Sequence, residues 1–466
     1  MSSLALRPLA PADRIAAITD PRSVERVNDA LSARRPSPHL ARWGIDPHDD
    51  DGVVLAHATI FGAPVLLAAH DEHFLGGSAG VNHADALRAL FQRAREMRPA
   101  AVVLLAASGG VRLYEANPAE LALARALKAL LDLRAFGVRV LTLVVADVFG
   151  GSSVLGCAAD RIAMLRGTKL GLSGPKVIEI AHGRTEVDAT DAAAVTALFG
   201  ADARAAAGAV ELVADDADIV RAWIAAACRD GATFPEQVQK TQAQLATRLF
   251  GRGVRRDVVD ASRARTETPS PPLFADAQPL EPGGALWRVN RRSIWLAQPP
   301  GRRAFGARDA HVLDAELLAH LARGKSGESA TLILVEDSPG HDATAAAERL
   351  CISQYLAQHA AVVALLRAKG VRVVGVLTGT GRGAAFFANA LQSSRVYATE
   401  DARVVAMDPA AIAGVTRRDP EQLAALIEDD PLLGHPVRHF AAWGGIEGIF
   451  PAAGAAGRLA TLLANE

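Results

Sequence analysis

The tetrapeptide Gly-Val-Arg-Val occurs twice, at Gly137 to Val140 and at Gly370 to Val373, about 233 positions apart, and an internal repeat constrains architecture before any other signal does. The surroundings repeat with it. The apolar run Ala101 to Ala107 ends in Ser108-Gly109-Gly110, and Thr331 to Val335 ends in Asp337-Ser338-Pro339-Gly340. Each run leads through an Ala/Leu-rich helical stretch into the tetrapeptide, and each tetrapeptide strand ends in a small-residue turn, Gly150-Gly151-Ser152 or Gly383-Ala384-Ala385. Asp160-Arg161-Ile162 and Ser394-Arg395-Val396 follow, then Ser173-Gly174-Pro175 and Met407-Asp408-Pro409. An ordered series at one offset points to two diverged copies of one unit, although unrelated α/β domains share some strand–turn–helix grammar.

Each copy reads as apolar strands alternating with helices, the pattern of βαβ units. Val53 to Ile60 and Pro64 to Ala69 form an expected hairpin around Phe61-Gly62, and Val102 to Ala106, Val138 to Ala146 and Ile162 to Leu165 read as buried strands. Arg88 to Met97 and Ala119 to Leu133 are helical in composition. In the second copy the strands are Ser293 to Ala297, Leu332 to Val335, Val371 to Leu377 and Val396 to Thr399. Prolines 269, 271, 272, 279 and 282 mark residues 266–284 as a linker. The expected domains are therefore 1–265 and 285–466. With 466 residues, half of them apolar, both can bury a core.

Fifty basic against 51 acidic residues give no general charge for nucleic acid or a membrane surface. Cys157, Cys228 and Cys351 have neither disulfide nor metal spacing, which fits a reducing cytoplasm. No signal-peptide core and no spanning run are seen.

The chemistry-bearing features are the turns. Two turns side by side can aim backbone N–H groups at one oxygen, an oxyanion hole suited to an enolate beside a thioester. The candidate donors are Gly109 or Gly110 with Gly150 or Gly151 in the first copy, and Gly340 with Gly383 or Ala384 in the second. The same glycines also serve tight turns. Gly76-Gly77-Ser78 lacks the lysine and Ser/Thr of a phosphate loop, and lining a substrate or simply turning the chain both fit it. Arg112 and Glu115 have the spacing of a local ion pair. No Gly-x-Ser-x-Gly elbow supports hydrolase chemistry.

At these residues the chain resembles a family. Phe74-Leu75-Gly76-Gly77-Ser78, the run Ser108 to Asn117, Phe149-Gly150-Gly151, Ser37-Pro38-His39-Leu40, Asp51-Gly52-Val53-Val54 and Leu170 to Pro175 with Val177-Ile178-Glu179 resemble the carboxyltransferase pattern of the crotonase superfamily. They are most similar to the β subunit of biotin-independent malonate decarboxylase, over roughly residues 30–260. Asp337 to Pro409 and Thr416-Arg417-Arg418 resemble the γ subunit more loosely. Where that subunit has Gln-Ala-Tyr-Gly, this chain has His341-Asp342-Ala343-Thr344, and Thr380 to Ala384 stands in place of Lys-Ala-Met-Ser-Gly.

The resemblance implies two crotonase-like (ClpP/crotonase) α/β carboxyltransferase domains in tandem, related by an internal pseudo-twofold, as a fused β–γ protein. It implies decarboxylation of a malonyl thioester on an acyl-carrier subunit to acetyl thioester and carbon dioxide. It implies as partners the acyl-carrier subunit, with its dephospho-coenzyme A-derived prosthetic group, and an acyl-carrier transferase (α) subunit. No metal, biotin or covalently bound cofactor is expected on this chain, and a homo-oligomer is left open. Gly76, Gly77, Ser78, Arg112 and Arg382 are the substrate-side candidates, the two arginines as readers of the carrier's phosphate. A biotin-dependent acyl-CoA carboxyltransferase and a non-catalytic scaffold are the alternatives.

Overall fold

The computed structural model describes residues 4–28, 31, 37–251, 277–280, 285–289, 294–297, 304–323, 331–407 and 409–465. The expected linker lies outside these residues apart from 277–280, as do Ser293 and Asp408. The chain divides into two compact units: Met1–Gln237 with Ala343–Ala357, and Val238–Asp342 with Gln358–Glu466.

In the first unit β1 (Glu25–Arg26), β2 (Val53–Ile60), β3 (Ala63–His70), β4 (Ala101–Ser108), β5 (Val140–Val148), β6 (Arg161–Leu165) and β7 (Glu211–Val213) lie side by side in chain order. β1, β2 and β3 pair antiparallel, and β3 to β7 run parallel. All eight residues of β4 are buried. A central parallel strand covered on both faces reads as an unbroken apolar run, so its sequence shows no alternation. Leu67, Val103, Leu105, Leu141 and Leu143 contribute to one core, closed by Val220 and Ile224 of helix Ala217–Cys228.

The second unit repeats this plan. Its strands are β8 (Gln278–Pro279), β9 (Leu286–Val289), β10 (Ile294–Ala297), β11 (Thr331–Glu336), β12 (Arg372–Leu377), β14 (Arg395–Thr399) and β16 (Gly448–Phe450), again adjacent in that order. β13 (Thr380–Arg382) and β15 (Arg403–Val405) form a separate parallel pair. The first three strands of the large sheet are antiparallel and the remainder parallel, as in the first unit. The repeat extends to register. Val140 faces Val102 as Val373 faces Leu332, Leu141 faces Arg161 as Val374 faces Arg395, and Ala163 faces Glu211 as Tyr397 faces Gly448.

The repeated tetrapeptide has a local cause. Gly137 ends helix Ala116–Phe136 in the left-handed region, its N–H donating to Arg134 O at 2.9 Å while Val138 donates to Leu133 O at 3.3 Å. Gly370 does the same after helix Ile352–Ala368, with Gly370 to Arg367 O and Val371 to Leu366 O both at 3.0 Å. Glycine closes the helix, and the β-branched residues after it lead into the next strand.

Helix Val81–Met97 begins seven residues before the expected Arg88, and β5 begins at Val140 because Val138 is spent on the helix cap. The division between units falls at Gln237, inside helix Phe234–Phe250, rather than after residue 265. Residues 343–357 belong to the first unit although they lie in the second half of the sequence. A buried carboxylate explains this: Glu348 pairs with Arg204 at 3.0 Å, both fully enclosed.

Candidate active site

Three glycine-bearing segments meet at the carboxyl ends of β4 and β5. Ser108-Gly109-Gly110 leaves β4, and Phe149-Gly150-Gly151 leaves β5 and opens helix Gly151–Cys157. Leu75-Gly76-Gly77 lies against the first, Gly109 donating to Gly76 O at 2.9 Å. A Cβ on Gly77 would lie 2.8 Å from Ala107 O, so the Gly76-Gly77 pair serves close backbone approach. A Cβ on Gly150 would come within 2.9 Å of Gly110 Cα, and one on Gly110 within 3.2 Å of Gly150 Cα. Both residues have positive φ, +102° at Gly110 and +62° at Gly150. The two turns touch through bare backbone that no side chain could share.

Buried backbone amides need acceptors, and several of those in the turns find theirs within the fold. Gly109 donates to Gly76 O at 2.9 Å, Gly110 to Ser108 Oγ at 3.2 Å and Gly150 to Leu172 O at 2.9 Å. Ala79 donates to Gly110 O at 2.7 Å, and Arg112 N–H to Ala79 O at 2.9 Å. The amides of Val111 and Gly151 donate to no protein oxygen among the described residues. Val111 N is 3.8 Å from the place a Cβ on Gly150 would take. Of the expected donors, Gly109, Gly110 and Gly150 are engaged within the fold and Gly151 is open. Val111 lies outside the expected glycine set, because the open amide belongs to the residue after the glycines.

The first turn does not open a helix directly. Val111 bridges Ala79, and helix Ala116–Phe136 starts only after Glu115. Arg112 is also placed differently from the expectation of a phosphate reader. It is fully buried, bonding Asp51 at 2.6 Å and Ser78 O at 2.8 Å, with Glu115 at 3.9 Å. Glu115 in turn accepts from Ser37 Oγ and from Val81 N–H at 2.7 Å. A Cβ on Gly80 would overlap Arg112 Nη1 and Glu115 Oε2. The arginine is held inside by two acids and cannot meet a phosphate at the surface. Burial still lifts the Asp51 carboxyl to about 6 against the pull of Arg112. Beside this cluster His70 and His83 stand edge to face at 4.8 Å, and burial drops His70 to about 4.

The second unit builds the same turn with other side chains. Gly340 donates to Ser338 Oγ at 3.1 Å, its carbonyl accepts from Phe305 N–H at 2.8 Å, and Asp342 donates to Phe305 O at 3.1 Å. That is the pattern of Gly110, Ala79 and Arg112, so the counterpart of Gly340 is Gly110. Gly383, at φ +48°, opens helix Gly383–Ala388 as Gly150 opens its own. The amide of Ala384 donates to no protein oxygen among the described residues. Arg382 lies over Gly340, its Cδ 3.4 Å from the place a Cβ would take. Burial, with the nearby Arg382 guanidinium, lowers His341 to about 4, so this ring is neutral. Beneath the turn runs a buried chain from Asp314 to His359 at 2.7 Å, to Asn389 at 3.1 Å and to Glu336 at 2.7 Å.

Among the described residues no group of three or more His, Cys, Asp or Glu side chains could hold a metal ion, and no helix is long and apolar enough to cross a membrane.

Residues 9–247 match the carboxyl transferase domain family, and residues 301–466 match the malonate decarboxylase gamma subunit family. A malonyl-S-ACP:biotin-protein carboxyltransferase of Malonomonas rubra is 35% identical over 176 residues, 34% of this chain and 55% of that protein. The acetyl-coenzyme A carboxylase carboxyl transferase subunits beta/alpha of a Parafrankia species are 31% identical over 185 residues, 37% of this chain and 29% of that protein. The chain thus spans about half the length of the first relative and less of the second. A Pseudomonas malonate decarboxylase hetero-tetramer solved with malonate aligns at a TM-score of 0.47 and 29% identity, over 58% of this chain and 95% of that one. With just over half of its length matched by the one family and a further third by the other, the chain belongs to the carboxyl transferase family and is a protein of the malonate decarboxylase beta/gamma type.

Proposed function

We propose that this chain decarboxylates a malonyl thioester, with the Val111 and Gly151 amides binding the thioester oxygen. The observation that carries the reading is this pair of open amides on touching turns, inside a carboxyl transferase domain, where the neighbouring amides of Gly109, Gly110 and Gly150 are engaged. Loss of carbon dioxide leaves the electron pair of the broken C–C bond on the α-carbon, delocalised onto the thioester oxygen as an enolate. Uptake of one proton at that carbon gives the acetyl thioester. The charge develops on the oxygen, so donors fixed in advance bind the transition state better than the ground state. The scheme uses no side-chain nucleophile. The Gly340 and Gly383 turns, with Ala384, form a second hole that can be tested separately. The substrate is carried on the phosphopantetheine-like arm of an acyl-carrier subunit, within a complex that also contains a carrier transferase.

The Malonomonas relative, named for transfer from a malonyl-carrier protein to a biotin protein, favours a second reading in which the carboxyl group passes to biotin. Incubation of the purified chain with malonyl thioester, with and without biotin, followed by mass analysis, separates the two. Acetyl thioester formed equally in both arms supports decarboxylation. Turnover only with biotin, with carboxybiotin as product, supports transfer. No turnover in either arm overturns both.

A further inference from the structure

We propose that Glu348 and Ser353, residues of the second half of the sequence, are positioning residues for the first unit's oxyanion hole, so that the hole is incomplete without residues 343–357. The segment belongs to the first unit, and it grips the hole at two points.

The first grip is a carboxylate. Glu348 is fully buried, and its Oε1 accepts from the N–H groups of Leu172 at 2.9 Å and Ser173 at 2.7 Å. Oε2 accepts from Arg204 Nη2 at 3.0 Å, and Arg204 Nε donates to Leu170 O at 2.8 Å. A Cβ on Gly171 would lie 3.0 Å from Glu348 Oε2 and 2.6 Å from the Phe199 ring, so the strip from Leu170 to Ser173 has one way to lie. The carbonyl of Leu172 in that strip takes the N–H of Gly150 at 2.9 Å. Glu348 therefore fixes the acceptor that occupies the Gly150 amide and leaves the next amide, Gly151, open.

The second grip is on the helix that Gly150 opens. Ser353 Oγ lies 2.7 Å from Ser153 Oγ, and both residues are buried. Ser153 also bonds the Gly150 carbonyl through its Oγ at 2.7 Å and its N–H at 2.9 Å. One segment thus holds both peptide groups that flank the Gly150 α-carbon. Short of that, the helix Ala345–Arg349 could reach the unit by packing alone. A buried carboxylate on two backbone amides and a guanidinium does more than packing needs, and catalytic geometry depends on such support.

The consequence for kcat rests on the proposed decarboxylation, whereas the geometry does not. The test is amide hydrogen exchange in the full chain, read at Gly150 and Leu172, for Glu348→Leu, Glu348→Gln and Ser353→Ala, with steady-state kinetics on malonyl thioester beside it. The expected result is exchange at Gly150 faster by about tenfold or more in Glu348→Leu and near native in Glu348→Gln, whose amide oxygen can still accept two N–H groups. Turnover in Glu348→Leu should fall by roughly 10- to 100-fold with KM little changed. Ser353→Ala, which leaves the ion pair intact, should lose turnover by only a few-fold and covers the case in which Glu348→Leu does not fold. Native exchange at Gly150 in a folded Glu348→Leu, or native exchange and turnover in Ser353→Ala, would overturn the proposal. Absence of turnover in the wild-type chain would sink the decarboxylase reading alone, since exchange still decides the positioning.

Discussion

The two units share backbone and differ in what surrounds the turn. Gly110 and Gly340 have the same Ser Oγ beneath the amide and the same bridge to a preceding segment. Beside the first turn, however, Arg112 is pulled inside by Asp51, while beside the second Arg382 lies across the glycine next to a neutral His341. The first pair of turns therefore sets backbone amides over a sealed ion pair, and the second adds a half-buried cation. A repeated scaffold fixes where amides can point, and a few side chains decide what they can bind.

The sharpest test of that contrast is to change the two arginines alike. Arg112→Met leaves the buried Asp51 and Glu115 without their cation and should cost about 3–5 kcal/mol of stability, read by chemical denaturation. Arg382→Met should cost less than about 1 kcal/mol, because its position is half-buried. Equal losses would break the comparison.

Next is removal of one donor. Gly151→Pro deletes the open N–H at a first helical position, where proline is tolerated, and should lower turnover by about 10²- to 10³-fold with the fold intact. Gly151→Ala should retain most activity, and Ala384→Pro tests the second hole in the same way. Valine at Gly110 or Gly150 is a poorer test, since either would collide with backbone at positive φ.

The buried histidines His70 and His359, one in each unit, should answer pH in opposite directions. Burial, the largest influence, holds His70 in its neutral form, with a folded value of about 4 against an ordinary 6.5. Its contribution is present above 6.5 and is lost as pH falls through 6.5 towards 4, by up to about 3 kcal/mol. His70→Phe should flatten that loss. Burial also opposes the charged form of His359, but Asp314, Asn389 and Glu336 outweigh it and the net shift is upward, with the Phe305 ring 5.8 Å away. That group's contribution is present below 6.5 and fades as pH rises through its folded value. A first unit no more acid-sensitive in wild type than in His70→Phe would contradict the account.

The smallest effect concerns Arg382. Arg382→Gln should raise KM for carrier-bound malonyl thioester by a few-fold more than for a short thioester without phosphate. Equal changes would remove Arg382 from recognition of the carrier arm.

Much of the fold was legible in the sequence because buried parallel strands and capped helices are local. Ala101 to Ala107 is apolar throughout, and Gly-Val-Arg-Val is a helix stop joined to a strand start. The turns were legible for the same reason. The donor assignment was not, since it depends on which amides find acceptors far away. Gly109 is occupied by Gly76, and Gly150 by Leu172. Arg112 misled because its partner Asp51 lies 61 residues upstream. Glu348 was silent because its amides are 176 and 175 residues away, and a lone glutamate in an alanine-rich helix looks like a solvent face.

The central claim is that the Val111 and Gly151 amides polarise the thioester carbonyl. Isotope-edited infrared spectroscopy of a thioester labelled at that carbonyl and bound to the chain measures this directly. The account predicts a carbonyl stretch at lower frequency than in water for wild type and Gly151→Ala, with that shift largely lost in a folded Gly151→Pro. A bound carbonyl at its solution frequency in wild type, or a shift that persists undiminished in Gly151→Pro, would contradict it.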